Sequence, residues 1–251
     1  MSGEAREIHP KQSVISRVEC YHFDERFYVK TLEDGRMVYQ PSVTYILGST
    51  YPVDFGLAQW RGDVGNRRAD EIMEETAVDG SYVHDAIEGL LSGKEVTGDM
   101  IDSKFSPKRS LKVKRCLKAF VDWFHKYQPK TIKTESYVWS DQFGFAGTLD
   151  YLCEIDGEVY LIDFKTSKSL HEQHRVQVCA YGLAEQSDHV ALLQLGNTTK
   201  ARYTFKVLTD EERQQYTREF IETNKLFKTL NPNAAPNTET FPNVFTLGHA
   251  A

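Results

Sequence analysis

The segment that most constrains the fold is GTLDYLCEIDGEVYLIDFKTSK, residues 147–168. Asp156-Gly157 stands between two apolar runs, and this dipeptide favours the two-residue type I′ turn because both central positions of that turn need a positive φ. The segment therefore predicts a β-hairpin closed by Asp156-Gly157. Counting outward from the turn, Asp150 on the first strand falls opposite Asp163 on the second.

Two acids in that arrangement need a positive charge between them. Directly opposed side chains on a β-ladder have Cβ atoms about 4.5–5.5 Å apart, and like charges at that distance repel. Lys165 projects to the same face as Asp163, because side chains alternate along a strand. A lysine neutralises such a pair in part, whereas a hard divalent cation held by carboxylate oxygens does so more fully. The hairpin therefore predicts a metal site.

A less specific interpretation is that this Asp-x-Lys is an exposed ion pair, worth less than about 1 kcal/mol. The neighbouring residues on the strand argue against it, because they show no polar alternation: Val159, Tyr160, Leu161, Ile162 and Phe164. Such a run is typical of a strand covered on both faces. Burying charges without a function is costly, so a functional site is the favoured interpretation.

The remaining sequence predicts an α/β fold with a mixed β-sheet flanked by helices. We expect short N-terminal strands over residues 18–40, then strands over 131–139, 145–154, 158–166, 189–195 and 201–207. Helical sequence is expected to about residue 76, again from Gly80 to a stop near Gly93, and over 109–128, 172–186 and 209–229. Residues 1–79 would form strands and helices packed on a core of residues 80–230. An irregular tail would follow over 231–251.

Composition excludes several classes of protein. No apolar run reaches transmembrane length, and the first twelve residues resemble neither a signal peptide nor a transit peptide. The cysteines lie far apart, so they indicate neither a zinc site nor a disulfide framework: Cys20, Cys116, Cys153 and Cys179. The sequence therefore predicts a cytoplasmic protein that has no membrane partner.

Charge is distributed unevenly along the chain. The net charge is −6, yet residues 101–134 carry ten basic residues against Asp102 and Asp122. The block could contact nucleic-acid phosphates, with Lys112, Arg115 and Lys118 as candidate DNA-binding residues. The alternative is the solvated face of an amphipathic helix whose apolar residues recur at helical spacing: Val113, Leu117, Phe120, Phe124 and Tyr127.

Four further residues are candidates for the same site. His84 lies within a predicted helix, where a histidine is usually only partly buried but is also a common metal ligand. Glu135 lies on the strand before the hairpin and would otherwise face solvent. Gln177 and Tyr181 share one helix face at i, i+4, which suggests substrate contact, although ordinary surface polarity is the alternative for either alone.

Four motifs, in this order, resemble the RecB-type branch of the PD-(D/E)XK nucleases: GxxxH from Gly80 to His84, GTLD ending at Asp150, IDFKTSK with Asp163 and Lys165, and QxxxY from Gln177 to Tyr181. Within that branch the chain looks most similar to the mitochondrial genome maintenance exonucleases and their phage and bacterial relatives. That likeness rests on PSVT at 41–44, Leu57, Trp60, TES at 134–136 and the run 163–167. It covers roughly residues 40–185. Leu149-Asp150 replaces the usual Pro-Asp, which preserves the carboxylate.

The resemblance implies a restriction-endonuclease-like core and assigns roles to these residues. His84, Asp150, Asp163 and the backbone carbonyl of Phe164 would hold one or two Mg²⁺ or Mn²⁺ ions, and Glu135 would support the metals or their bound waters as a further ligand. Lys165 would orient the attacking water or stabilise charge on the phosphate. Gln177 and Tyr181 would hold the substrate strand, and Ser42 and Thr44 would contact phosphates. Some relatives carry an iron–sulfur cluster on C-terminal cysteines; no cysteine follows Cys179, so no cluster is expected.

The resulting expectation is a metal-dependent DNA exonuclease that prefers single strands or free ends, from a bacterial or phage-infected cell. A duplex or flap endonuclease is the alternative within the same class. A non-catalytic nucleic-acid-binding module on a degenerate nuclease fold is a third possibility, but intact Asp150, Asp163 and Lys165 argue against it. A purely structural metal site would leave Lys165 unexplained.

Overall fold

The computed structural model describes residues 14–20, 25–53 and 55–236, with side chains from residue 26 onward. The predictions for residues 21–24, for the side chain of Cys20 and for residues 237–251 lie outside the described part. In chain order the elements are β1 (Val14–Cys20), β2 (Glu25–Thr31), β3 (Met37–Pro41), α1 (Val43–Thr50), α2 (Phe55–Val64), α3 (Asn66–Leu91), α4 (Gly98–Asp102), α5 (Pro107–Tyr127), β4 (Lys130–Ser140), β5 (Phe145–Ile155), β6 (Glu158–Lys165), α6 (Glu172–Ala184), β7 (His189–Leu195), β8 (Tyr203–Val207) and α7 (Asp210–Leu230).

The central sheet has five strands in the order β4-β5-β6-β7-β8. Strands β6 and β7 run parallel, and the other neighbouring pairs are antiparallel. Strands β1, β2 and β3 form a separate antiparallel sheet. The predicted α/β fold, with a mixed sheet and an N-terminal hairpin elaboration, is confirmed.

The β5–β6 hairpin has the predicted turn. Asp156 and Gly157 have φ values of 52° and 89°, as a type I′ turn requires. The ladder then runs outward in the expected register but ends at Tyr151 and Ile162. The predicted ladder pair between Asp150 and Asp163 is therefore wrong, because these residues lie one position beyond the last pair. There the N–H of Phe164 donates to Oδ2 of Asp150 instead.

Helices cover the central sheet on both faces. One apolar cluster joins it to α1, α6 and α7, and another joins it to α3 and α5. Strand β6 contributes to both, since Leu161 packs in the first cluster and Ile162 in the second. The interpretation of β6 as a strand buried on both faces is confirmed.

Helix α3 differs from the prediction. It runs without interruption from Asn66 to Leu91, so the expected break at Gly80 is wrong. A Cβ atom at Gly80 would lie 3.2 Å from Oγ1 of Thr166, so the glycine permits close approach to the segment after β6 rather than ending a helix. The expected stop is confirmed at Gly93, which follows the helix with a φ of 78°. The proposed boundary between residues 79 and 80 falls inside α3.

The N-terminal sheet is attached to β5 close to the hairpin. Oη of Tyr28 lies 2.8 Å from Oγ1 of Thr148, at hydrogen-bond distance. Ser42 forms an isolated parallel bridge with Ala146 and caps the N-terminus of α1. This attachment places the start of α1 beside the N-terminal end of β5.

Candidate active site

Three elements bring one metal-binding side chain each to the same place. His84 comes from α3, Glu135 from β4 and Asp150 from β5. One ligand atom of each residue lies within 4.8 Å of the other two. Nδ1 of His84 is 3.4 Å from Oδ1 of Asp150 and 4.0 Å from Oε1 of Glu135. These residues, here called the ligand cluster, are three of the predicted metal ligands.

The backbone of Glu135 is distorted so that its side chain joins the cluster. Its φ is 41°, a left-handed value that is rare for a residue with a Cβ atom. It stands between the ladder pairs Thr134–Tyr151 and Ser136–Leu149, which places it across from Asp150. A single residue in this conformation costs on the order of 1–2 kcal/mol, and such strain is concentrated at functional sites.

The charges in the cluster favour binding of a cation. Burial and, after it, the neighbouring Asp150 carboxylate raise the pKa of Glu135 to about 7, although His84 opposes the shift. Burial lowers the pKa of His84, but the Asp150 carboxylate outweighs burial and raises the value to about 9. Burial raises the pKa of Asp150, but His84, Lys165 and the N–H of Phe164 outweigh it, so the net shift is downward. The cluster therefore holds a proton that a divalent ion could replace.

Asp163 and Lys165 form a buried ion pair beside the cluster. Nζ of Lys165 lies 2.7 Å from Oδ2 of Asp163, whose side chain is only 2% exposed. That oxygen has no well-aligned hydrogen bond among the described residues. Burial raises the pKa of Asp163 to about 6, although Lys165 opposes the shift. Asp163 lies outside the ligand cluster, and its predicted role as a metal ligand stays a prediction.

Gln177 and Tyr181 connect to Lys165 rather than lying free in the cleft. Nζ of Lys165 donates to Oε1 of Gln177 at 3.1 Å, and Nε2 of Gln177 donates to the Tyr181 hydroxyl at 3.0 Å. Tyr181 is 3% exposed and packs over Gly147, where a Cβ atom would come within 2.6 Å of Cε1 of the tyrosine ring. The two α6 residues therefore hold the lysine in place, and their predicted contact with substrate remains untested.

These groups line one open cleft of about 1220 Å³. The ligand cluster, Phe164, Lys165, Gln177 and Tyr181 all contribute to it, as do Ser42 and Thr44. Ser42 is 2% exposed, and its hydroxyl accepts a hydrogen bond from the Tyr45 N–H. Thr44 is exposed to solvent. Of the two predicted phosphate contacts, Thr44 is thus the accessible one.

The basic residues of α5 are divided between two surfaces. Lys112 lines the cleft, whereas Arg115 and Lys118 line a separate hollow. Lys112 also pairs with Asp79 of α3 at 3.3 Å, and Arg109 pairs with the same buried carboxylate at 2.7 Å. Part of the basic block therefore fastens α5 to α3, a role that sequence reasoning missed.

Sequence reasoning also missed three basic residues of the cleft: Lys168, His171 and His174. His174 could have been found, since it lies at i, i+3 and i+7 with Gln177 and Tyr181 on α6. Asp79 offered no comparable signal, because its partners lie about 30 residues further along the chain.

The fold and this site agree with the comparison against known families. The model of the PD-(D/E)XK nuclease superfamily matches residues 59–241, which is more than half of the chain. The protein therefore belongs to the PD-(D/E)XK nuclease superfamily, whose members act on nucleic acids, and the ligand cluster is its candidate metal site.

Comparison with curated protein sequences finds no significant match. Among solved structures, SSO0001 is 14% identical, with 78% of this chain and 77% of that chain covered and a TM-score of 0.37. A candidate exonuclease from Eubacterium rectale is 12% identical, with 68% and 77% covered and a TM-score of 0.42. These scores are too low to carry an argument. In the described residues, no helix combines the length and apolar character needed to cross a membrane.

Proposed function

We propose that the protein is a metal-dependent DNA exonuclease that acts on single strands or free ends. The observation that carries the proposal is the ligand cluster of His84, Glu135 and Asp150 beside the Asp163–Lys165 pair in one cleft. Within the superfamily we place the protein in the RecB-type branch, nearest to the mitochondrial genome maintenance exonucleases and their phage relatives. Its motifs support that placement.

The donor atoms of the site fit Mg²⁺ or Mn²⁺. Carboxylate and carbonyl oxygens suit both ions, and two of the three residues in the ligand cluster supply carboxylates. His84, Glu135 and Asp150 would hold the ion, with Asp163 and the carbonyl of Phe164 as further ligands. Oδ2 of Asp163 is held by Nζ of Lys165 at 2.7 Å, which fixes the orientation of this carboxylate beside the ligand cluster. When bound, the ion would lower the pKa of a water molecule and offset charge on the phosphate.

Lys165 would stabilise the transition state of phosphodiester hydrolysis. As water attacks phosphorus and the P–O bond to the leaving group breaks, negative charge builds on the phosphoryl oxygens. Asp163 and Gln177 hold the Lys165 ammonium at 2.7 and 3.1 Å. The amine therefore enters the reaction already oriented, so its loss should reduce the rate far more than it reduces binding.

Other residues of the cleft would bind the substrate strand. Thr44 on one wall and Lys108 and Lys112 on another are placed to contact phosphates. Gln177 and Tyr181 would support the strand indirectly through Lys165. We further propose that the N-terminal sheet and α1 serve as a wall packed on the catalytic core, and that the protein works in the cytoplasm of a bacterial or phage-infected cell.

The test is digestion of end-labelled linear single-stranded, duplex and circular single-stranded DNA with Mg²⁺, Mn²⁺ or EDTA. Lys165→Ala is run alongside, with Lys168→Ala as the control for an exposed lysine in the same cleft. We expect metal-dependent loss of linear single strands, no loss of the circle and no activity in Lys165→Ala. Cutting of the circle would replace the exonuclease with an endonuclease. No cutting of any substrate would favour a binding module.

A further inference from the structure

A second basic surface lies outside the catalytic cleft. It is a hollow of about 630 Å³ between α5 and the turn that joins β7 to β8. Its cationic side chains, here called the basic hollow, come from both elements: Lys114, Arg115, Lys118, Lys200 and Arg202. Cations gathered from two distant parts of the sequence repel each other, so the hollow attracts anions.

The charges of the hollow are only partly neutralised by the protein. Lys114 pairs with Asp102 at 2.7 Å, and Lys118 pairs with Asp122 at 2.8 Å. Arg115, Lys200 and Arg202, by contrast, have no acidic partner within the described residues. Three exposed cations thus remain available to a ligand.

The β7–β8 turn holds two of these cations in a fixed place. Arg202 has a φ of 61°, and its backbone closes the turn through the bond from the Gly196 N–H to its carbonyl at 2.7 Å. The side chain of Thr199 donates to Oδ1 of Asn197 at 2.6 Å within the same turn. Gly196 packs on Cys116 of α5, where a Cβ atom would lie 2.6 Å from Sγ. The turn is therefore docked beside Arg115.

A chain of hydrogen bonds links this turn to the catalytic segment. Gln194 is 6% exposed and donates to the carbonyl of Ser167 at 2.9 Å, while Asn197 donates to Oε1 of Gln194 at 3.2 Å. Gln194 also stands in register with Lys165 across the parallel β6–β7 pair. Because parallel strands end at the same edge of a sheet, the turn and the catalytic lysine share one edge.

We propose that the basic hollow is a second phosphate-binding site, which holds the backbone of the nucleic-acid strand at a distance from the scissile bond. This inference rests on the proposed nuclease function. Helix α5 connects the two surfaces, since Lys112 lines the cleft and Arg115 lies one helical turn further on. A strand that leaves the cleft along α5 reaches the hollow, whereas a very short oligonucleotide occupies the cleft alone.

The proposal predicts a dependence on substrate length. The test variant combines Arg115→Gln, Lys200→Gln and Arg202→Asn, the last chosen because asparagine tolerates a positive φ. Its control combines Lys94→Gln, Arg218→Gln and Lys225→Gln, which are exposed, lie outside the 101–134 block and remove the same charge elsewhere. Binding of single-stranded oligonucleotides of about 4 and about 16 nucleotides, spanning typical single-strand site sizes, is measured by fluorescence anisotropy in a Lys165→Ala background. Cleavage is measured with Lys165 intact.

We expect the test variant to bind the longer oligonucleotide about tenfold more weakly and to lower its salt slope by up to about 2, at roughly 0.7 per phosphate contact. Binding and cleavage of the short oligonucleotide should equal those of the control variant. An equal loss of affinity for the short and the long oligonucleotide would overturn the inference, and so would an unchanged salt slope. Either result would leave the proposed nuclease function in place. Failure of the unsubstituted protein to cleave either length would instead count against the proposed function itself.

Discussion

The backbone N–H of Phe164 donates a hydrogen bond to Oδ2 of Asp150 at 2.6 Å, at the position where the β5–β6 ladder has ended. This bond ties the open end of the hairpin together. It also leaves Oδ1 of Asp150 directed towards His84, 3.4 Å away. Asp150 therefore fixes the geometry of the site with one oxygen and offers the other to a metal ion.

Asp150→Asn should reduce metal affinity while the fold survives. Asparagine keeps an acceptor for the Phe164 N–H but removes the negative charge that the cluster offers to a cation. We expect Mn²⁺ affinity, measured by isothermal titration calorimetry, to fall by at least about tenfold. The control is Asp85→Asn, an exposed acid of the same cleft and the chain neighbour of His84. If both variants lost affinity equally, general electrostatics rather than ligation would explain the effect.

Lys165→Ala should destabilise the protein as well as inactivate it. The substitution leaves the Asp163 carboxylate buried without its ion-pair partner, which typically costs about 3–5 kcal/mol. Adding Asp163→Asn removes that charge, so the double variant should regain most of the free energy of unfolding measured in urea while staying inactive. A double variant no more stable than Lys165→Ala would show that packing, rather than charge, accounts for the loss.

The hairpin could be predicted from sequence because its signals are local. The Asp156-Gly157 turn sets the register, and the alternation of a strand then places Lys165 on the face of Asp163. Local signals also led to a wrong prediction, because a glycine inside a helix resembles a glycine that ends one. At Gly80 the requirement is the close approach of Thr166, a residue on another element that no local pattern reveals.

The rest of the site depends on contacts between distant segments. The left-handed backbone of Glu135 follows from its place across from Asp150, and neither its residue type nor its neighbours predict it. The sequence likewise does not show which basic residues of α5 line the cleft and which line the basic hollow. The buried Asp79 engages Lys112, whereas Arg115 faces the β7–β8 turn, and both relationships arise only in the folded chain.

Glu135→Gly should show that metal affinity is gained at a cost in stability. Glycine adopts a φ of 41° without strain, and it removes a carboxylate that repels Asp150. In EDTA we expect the free energy of unfolding to rise by about 1 kcal/mol. In Mn²⁺ the order should reverse, because the unsubstituted protein gains more from metal binding. Glu135→Gln keeps the strained backbone and removes only the charge. In EDTA its free energy of unfolding should therefore lack the gain that comes from relieving the backbone strain. A Glu135→Gly variant less stable than Glu135→Gln in EDTA would contradict this account.

His174 should make the protein less stable in mild acid. Burial lowers its pKa to about 3, and the positive charges of Lys165, His171 and Arg175 act in the same direction. The folded protein thus keeps this imidazole neutral, whereas the unfolded chain takes up a proton below the ordinary value of 6.5. The stability that depends on neutral His174 is complete above pH 6.5 and is lost as the pH falls towards 3, by at most about 1.4 kcal/mol per pH unit.

Comparison with His174→Gln isolates that contribution, since every other titrating group is common to both proteins. The difference in the free energy of unfolding between the two should be constant above pH 6.5 and should shift in favour of the variant as the solution is acidified. His125→Gln serves as the control, because His125 is exposed and lies on α5, away from His174. A difference that stays constant from pH 7 to pH 4 would mean that His174 is protonated as readily in the folded protein as in the unfolded chain.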